Sequence, residues 1–279
     1  MLPFNYCVLS AALVLSIAIG CGSAANAVQQ TNVEEKVVAL NKAQSYRILA
    51  LGDSITRGSS EGLGNYRRPL QALLSRGGYQ FEFVGTNTKQ SDNYHGDDTE
   101  QTFTPYQTLH EGYGGFRIDQ IGSENRDTDD GGVAYAGLTT ALEKANPDVV
   151  LMMLGTNDLN RGFDPPGGAG YGGRTGFSAN AAARMDVLVT RIHELKPSAT
   201  LVLATLVPIR NEAKQEKVKE YNELLRKIII AHQEKGEKIV LADMGVELGD
   251  GDLSRDGVHP LTEGYNKMAR VWFAALTGG

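Results

Sequence analysis

The chain has 279 residues, 41% of them hydrophobic and 22% charged. That is the balance of a globular protein with one substantial core, and it excludes disordered, collagenous and polytopic membrane architectures. Its 27 basic and 33 acidic residues leave a formal net charge of -6 with no basic stripe, which argues against nucleic acid as a partner, because such affinity rests on clustered Lys and Arg.

Both cysteines, Cys7 and Cys21, fall in the N-terminal segment, so the rest of the chain carries neither a disulfide nor a cysteine metal site. Residues 8–19 are an apolar run followed by small residues and Ala25-Asn26-Ala27. The pattern reads as a cleaved secretory signal over residues 1–27, too short for a good membrane span. Ala18-Ile19-Gly20-Cys21 is also a loose lipobox, which would leave Cys21 as a lipid-bearing N-terminus. The expected location is secreted or periplasmic, or that of a surface lipoprotein, with no membrane insertion after processing.

Residues 28–45 are polar without a strong period and read as a tether or a first peripheral helix. Beyond them, aliphatic and β-branched runs at 47–51, 81–84, 149–154, 200–206 and 238–242 predict strands. Amphipathic stretches at 66–75, 134–144, 179–195, 213–234 and 262–276 predict helices between and after them. The alternation implies a three-layer α/β domain over residues 46–279 with a parallel sheet, undivided because no linker, repeat or composition shift interrupts it. In such sheets ligands meet the loops beyond the carboxyl ends of strands. Two loops are long: 86–132, rich in Asp, Gly, Asn and Thr, and 160–178, with Pro165-Pro166 and Gly167, Gly168, Gly170, Gly172, Gly173 and Gly176. The second is either a lid or a surface insertion.

The first strand runs into Gly52-Asp53-Ser54-Ile55-Thr56, which puts a hydroxyl at the sheet's carboxyl edge. Ser54 is either a helix-capping serine or a nucleophile. As a nucleophile it needs a base, itself oriented by a third group. His193 reads as a surface residue of a helix, His232 lies near a helix end and His95 is in a polar loop, so each is read as structural. His259 differs, because Asp256-Gly257-Val258-His259-Pro260 is turn-rich and follows the last strand. Asp256 can fold back to bond one imidazole nitrogen while the other faces the serine; the same residues also suit an Asx-turn. For an oxyanion, Gly155-Thr156-Asn157-Asp158 after the 149–154 strand offers the Asn157 amide. Gly112-Tyr113-Gly114-Gly115 offers an unobstructed backbone N–H at Gly115.

Together and in their chain order, 52–56, 112–115, 155–158 and 256–260, these four blocks resemble those of the SGNH (GDSL-type) hydrolases, from about Tyr46 to Ala274. The resemblance implies Ser54 as nucleophile, with Asp256 and His259 completing a triad. It also implies an oxyanion hole of the Ser54 N–H, the Gly115 N–H and the Asn157 amide. The implied fold is a five-stranded parallel sheet between helices in flavodoxin-like order. A narrower likeness lies in His110-Glu111-Gly112-Tyr113-Gly114-Gly115, Asn65-Tyr66-Arg67-Arg68-Pro69-Leu70, Phe83-Val84-Gly85-Thr86 and Gly264-Tyr265-Asn266-Lys267-Met268-Ala269. These resemble the secreted acetyl-xylan esterases of the third carbohydrate-esterase family, which implies removal of O-acetyl groups from xylan or related sugars. The Gly-rich insertion after Asn160 and the acidic loop 124–130 depart from that pattern and are expected near the cleft.

The absence of a long apolar lid helix beside these blocks suits a small acyl group. Asp53, Tyr113 and Asp158 are candidate substrate contacts, and Tyr113, Tyr171 and Phe163 are candidate sugar platforms unless they pack the loops down. Trp272 is expected in the core. Asp92, Asp97 and Asp98, and likewise Asp127, Asp129 and Asp130, read as solvated loop charge rather than a Ca²⁺ site. No metal ligands stand at recognisable spacing, and the hydrolysis implied needs neither metal nor organic cofactor. The expected protein is a monomeric serine esterase acting on acetylated polysaccharide or oligosaccharide. The competing readings are an arylesterase or lysophospholipase-type acyl hydrolase, and a non-catalytic carbohydrate-binding module on a hydrolase scaffold.

Overall fold

The structure is a computed structural model, and it describes residues 37–58, 65–89, 106–124, 127–129, 131–160 and 180–278. Cys7, Cys21, the apolar leader, Asp92, His95, Asp97, Asp98, Asp130, Phe163, Tyr171 and nearly all of the 160–178 loop lie outside those residues.

Among the described residues the strands are β1 (Ser45–Gly52), β2 (Gln80–Val84), β3 (Glu111–Gly112), β4 (Val149–Met153), β5 (Thr200–Ala204) and β6 (Ile239–Ala242). The helices are α1 (Ser54–Arg57), α2 (Arg67–Arg76), α3 (Ile118–Ile121), α4 (Leu138–Ala145), α5 (Thr156–Asn160), α6 (Ala181–Leu195), α7 (Glu212–Glu234) and α8 (Thr262–Thr277). The sheet runs β2-β1-β4-β5-β6, with β3 added to β1, and every pairing is parallel. That is the flavodoxin-like order. A parallel neighbour is reached only by a crossover, so a helix follows each long strand. Buried on both faces, β4 reads VVLMM without alternation, and all five residues are inaccessible. Two helix groups pack beside the sheet: α2 with α8, and α6 with α3 and α7. Trp272 is fully buried in α8, its ring 5.6 Å from that of Tyr66.

The five expected strands and five expected helices are all present, with ends moved by local chemistry. The helix expected from residue 134 starts at Leu138. The Asn180 side chain accepts from Ala183 N at 3.1 Å and sets the start of α6, while Asn211 does the same for α7 through Lys214 N at 3.1 Å. Residues 37–44 are not a helix: Val38 N and Leu40 N donate to Ala275 O (2.9 Å) and Leu276 O (3.0 Å), laying this part of the expected tether along the end of α8.

The short β3 explains how the sheet edge bearing Ser54 is built. β2 stops at Val84 opposite Leu49, and β3 takes over that side of β1 with Leu51 opposite Glu111 and Gly52 opposite Gly112. The approach is close enough that a Cβ on Gly112 would lie 2.5 Å from Arg57 N and 2.9 Å from Arg57 Cα. Backbone atoms cannot swing aside, so Gly112→Ala should destabilise by roughly 1–3 kcal/mol or more. Gly251→Ala, where nothing lies within 4 Å, should change stability by less than about 0.5 kcal/mol. Urea denaturation of the two variants beside the wild type checks the contrast.

Candidate active site

Ser54 is the first residue of α1, directly after the buried end of β1, and Asp53 caps that helix by accepting from Ile55 N at 2.9 Å. Its Oγ lies 2.8 Å from His259 Nε2, and His259 Nδ1 lies 2.5 Å from Asp256 Oδ2. The second oxygen of Asp256 accepts from Val258 N (2.8 Å), His259 N (2.9 Å) and Ser254 Oγ (2.7 Å). The Asx-turn and the triad are therefore one object: Oδ1 shapes the loop while Oδ2 fixes the imidazole. Partial burial would raise the Asp256 carboxyl, but the bonds from the His259 ring and backbone, Val258 and Ser254 outweigh it and hold the group well below the ordinary Asp value.

The loop bearing Asp256 and His259 is closed by a bridge between Leu253 and Pro260 and by Ser254 N donating to His259 O at 2.8 Å. Arg210 supports it from outside, its N donating to Gly257 O and its guanidinium to Ser254 O, both at 2.8 Å.

The glycine block is placed by two hydrogen bonds and one left-handed turn residue. Tyr113 N donates to Gly52 O at 2.9 Å, Gly114 N donates to Asp129 Oδ2 at 3.1 Å, and Gly115 follows in the left-handed region at φ 76°. The Asn157 amide donates to Phe116 O at 3.0 Å, with Asp53 Oδ2 at 3.5 Å, so Asn157, the glycine block and the Ser54 turn meet at one sheet edge.

Several expectations change. Tyr113 is fully buried, donates its hydroxyl to Glu111 at 2.7 Å and stacks on Phe116 with centroids 5.2 Å apart. It packs the loop down and offers no platform to a sugar. Asp158 is equally buried: its Oδ1 accepts from Arg184 at 2.7 Å and its Oδ2 from Ile118 N at 3.2 Å, so it ties α5 to α3 instead of facing substrate. Asp53 is buried beneath Ser54. Asp129 is not solvated loop charge. It is buried, pairs with Arg57 at 2.5 Å, and accepts from Gly114 N and Val133 N. His193 is buried, not a surface residue.

Arg57 and Arg184 fell in no motif of the sequence, and Arg67 only in the stretch Asn65-Tyr66-Arg67-Arg68-Pro69-Leu70. Arg67 is inaccessible and donates to Thr56 O and Arg57 O, both at 3.1 Å, satisfying carbonyls at the end of α1. The signal for its place was the Asn65-to-Leu70 stretch, which did not indicate what the guanidinium bonds.

A family profile described as GDSL-like Lipase/Acylhydrolase matches residues 48–272. The chain belongs to the GDSL-like lipase/acylhydrolase family. It is similar to a multidomain esterase of Ruminococcus flavefaciens, 28% identical over 251 residues, and the match covers 85% of this chain but only 29% of that protein. Among solved structures, a family 3 carbohydrate esterase of Clostridium thermocellum is 26% identical with a TM-score of 0.61, covering 82% of this chain and 94% of that one. A carbohydrate esterase family 3 structure from Talaromyces cellulolyticus shares the fold, with a TM-score of 0.62 at 19% identity over 81% of this chain and 93% of that one.

Beneath this GDSL-type edge lie carboxyls under strong desolvation. Burial lifts Asp53 from 3.8 to about 6 against the bond from Ile55 N and the nearby His259, and it lifts Asp158 from 3.8 to about 6 against Arg184. Both folded values exceed the unfolded one, so between about pH 4 and pH 6 the folded state holds protons that the unfolded state has released. Their ionisation therefore weakens the fold as pH rises through that window and changes nothing above it. Asp256, held low, acts in the opposite sense and only below the window. Asp53→Asn, which cannot ionise, should gain on the wild type by up to roughly 3 kcal/mol between pH 4 and pH 7, read as the difference in urea unfolding free energy at each pH. Arg184→Met, which leaves Asp158 buried without its cation, should cost roughly 3–5 kcal/mol at pH 7.5 and less at pH 5, where the carboxyl can protonate.

Proposed function

We propose that this chain is an exported serine esterase that removes O-acetyl groups from acetylated carbohydrate such as acetylxylan. The observation that carries the proposal is the unbroken line Ser54 Oγ, His259 Nε2, His259 Nδ1, Asp256 Oδ2, with steps of 2.8 and 2.5 Å. The similarity to carbohydrate esterases supports the substrate class, and the apolar leader over residues 8–19 supports export, by simple cleavage or with a lipid on Cys21.

Ser54 Oγ attacks the acetyl carbonyl carbon as His259 Nε2 takes its proton. Asp256 holds the ring in the tautomer with Nδ1–H and stabilises the imidazolium that forms. The negative oxygen is met by the Ser54 and Gly115 N–H groups and the Asn157 amide, which must turn from Phe116 O to reach it. Collapse breaks the ester bond, and the sugar hydroxyl leaves with the proton from His259. Water then loses its proton to His259 and attacks the acetyl-enzyme; acetate departs as the proton returns to Ser54.

The test is acetate release from acetylated xylan by the protein lacking residues 1–27, together with aryl esters from acetyl to octanoyl. Acetate should appear promptly, rates should fall as the acyl chain lengthens, and Ser54→Ala should lose about 10⁴-fold or more in kcat. Untouched xylan with cleavage of longer esters would point to an arylesterase or lysophospholipase-type enzyme. Sugar binding with no cleavage of any ester would point to a non-catalytic module.

A further inference from the structure

Far from the triad, α6 and α7 both end at the other edge of the sheet, beside the start of β6. His193 lies in the last turn of α6, His232 in that of α7, and Glu237 two residues before β6. His193 is 8% exposed and His232 0%, and their rings stack 5.9 Å apart at 17°.

The surroundings of the four ring nitrogens are one-sided. His232 Nε2 lies 2.9 Å from Asp186 Oδ1, and its Nδ1 faces Glu237 Oε2. His193 Nε2 lies 3.4 Å from Lys238 O, while its Nδ1 lies 3.2 Å from Glu237 Oε2 and 3.0 Å from Val189 O. Every facing atom is an acceptor, yet a neutral imidazole brings a single N–H. Placing that N–H on Nε2 of each ring satisfies Asp186 and Lys238 O. It leaves both Nδ1 atoms turned to the Glu237 carboxylate, with Val189 O also beside that of His193, and each of the three residues offers a ligand atom within 4.8 Å of the others.

A divalent cation fits this convergence of two imidazoles on one carboxylate. Two further features favour the cation. The carboxyl ends of both helices turn their negative poles toward it. Each ring also gives its remote N–H to a carboxylate or carbonyl, the usual support of a metal-bound histidine. The Lys238 ammonium is engaged elsewhere, with Ser198 O at 3.2 Å. Two imidazole nitrogens and one carboxylate oxygen suit Zn²⁺, and the Glu237 side chain, 27% exposed, leaves room for water as the fourth ligand.

We infer that His193, His232 and Glu237 bind one Zn²⁺, which clamps the ends of α6 and α7 to the entry of β6. The ligands lie 39 and 5 positions apart (232 − 193 and 237 − 232), so no compact spacing marks them in the sequence.

The full chain, stripped with EDTA, is titrated with ZnCl₂ by calorimetry, loaded with Co²⁺ for visible spectroscopy, and melted with and without Zn²⁺. The expected result is one Zn²⁺ per chain at micromolar Kd or tighter, intense four-coordinate Co²⁺ bands, and a Tm that rises with Zn²⁺ and returns with EDTA. Glu237→Gln and His193→Gln should each weaken binding at least about tenfold, while His259→Ala, which removes the imidazole at the other edge, should leave it intact. Glu237→Gln is close in size and alters a partly exposed side chain, so its metal-free Tm near that of the wild type guards against a folding artefact. The inference is overturned if the wild type binds no stoichiometric Zn²⁺, if both ligand variants bind as tightly as the wild type, or if His259→Ala abolishes binding.

Discussion

Parallel pairing of β1 on both sides is the constraint from which the candidate catalytic edge follows. Ile48 to Gly52 pair with Val149 to Met153 of β4, and the other side is covered first by β2 and then by β3. Its backbone is therefore fixed up to the residue before Asp53, and Ser54 leaves a strand that cannot rock. Because all strands point the same way, Gly115, Asn157 and the 256–259 loop leave β3, β4 and β6 at that same edge. Residues about 200 positions apart thus meet within hydrogen-bonding distance without any long-range motif to specify it.

The loops at this edge are not held by regular structure, and buried ion pairs take its place. Asp129 joins Arg57 at the end of α1 to Gly114 N, and Asp158 joins Arg184 of α6 to Ile118 N. Each carboxylate is shared between a guanidinium and a backbone N–H of the chain flanking Gly115. Burying such pairs gains little net stability over an apolar filling. What they supply is direction: an N–H donor aimed at a developing oxyanion is useful only if it is in place before charge appears.

The readable part of the sequence was its local part. Continuous apolar runs announced buried strands, the turn blocks around Ser54 and Asn157 stood directly after two of them, and the block around His259 stood ahead of the last helix, so fold and candidate triad were both legible. What failed was judgement of polar residues whose partners are remote. Asp129 looked solvated because Arg57 is 72 residues away, and Asp158 looked available because Arg184 is 26 away. Tyr113 looked like a platform because a glycine-rich loop suggests exposure, yet its ring is held between Phe116 and Tyr135. His193 looked exposed beside Glu194 and Lys196, although the ring occupies the covered side of its helix. β3 is two residues long and has no period to detect; only the strand beside it defines it.

Helix α7 links the two edges of the sheet. From its middle, Tyr221 donates to Leu154 O at 3.0 Å at the end of β4, and the Asn222 side chain bridges Leu206 N and O at 2.8 and 3.0 Å just beyond β5. These bonds fasten the chain where it departs toward Asn157 and toward the Arg210 support of the 256–259 loop. The same helix ends at His232 and Glu234, in the His193, His232 and Glu237 cluster. A helix of 23 residues is stiff on the scale of the domain, so fixing its carboxyl end restrains its whole axis. The polar cluster at the far edge and the bonds to Leu154 and Leu206 are therefore carried by one continuous helix.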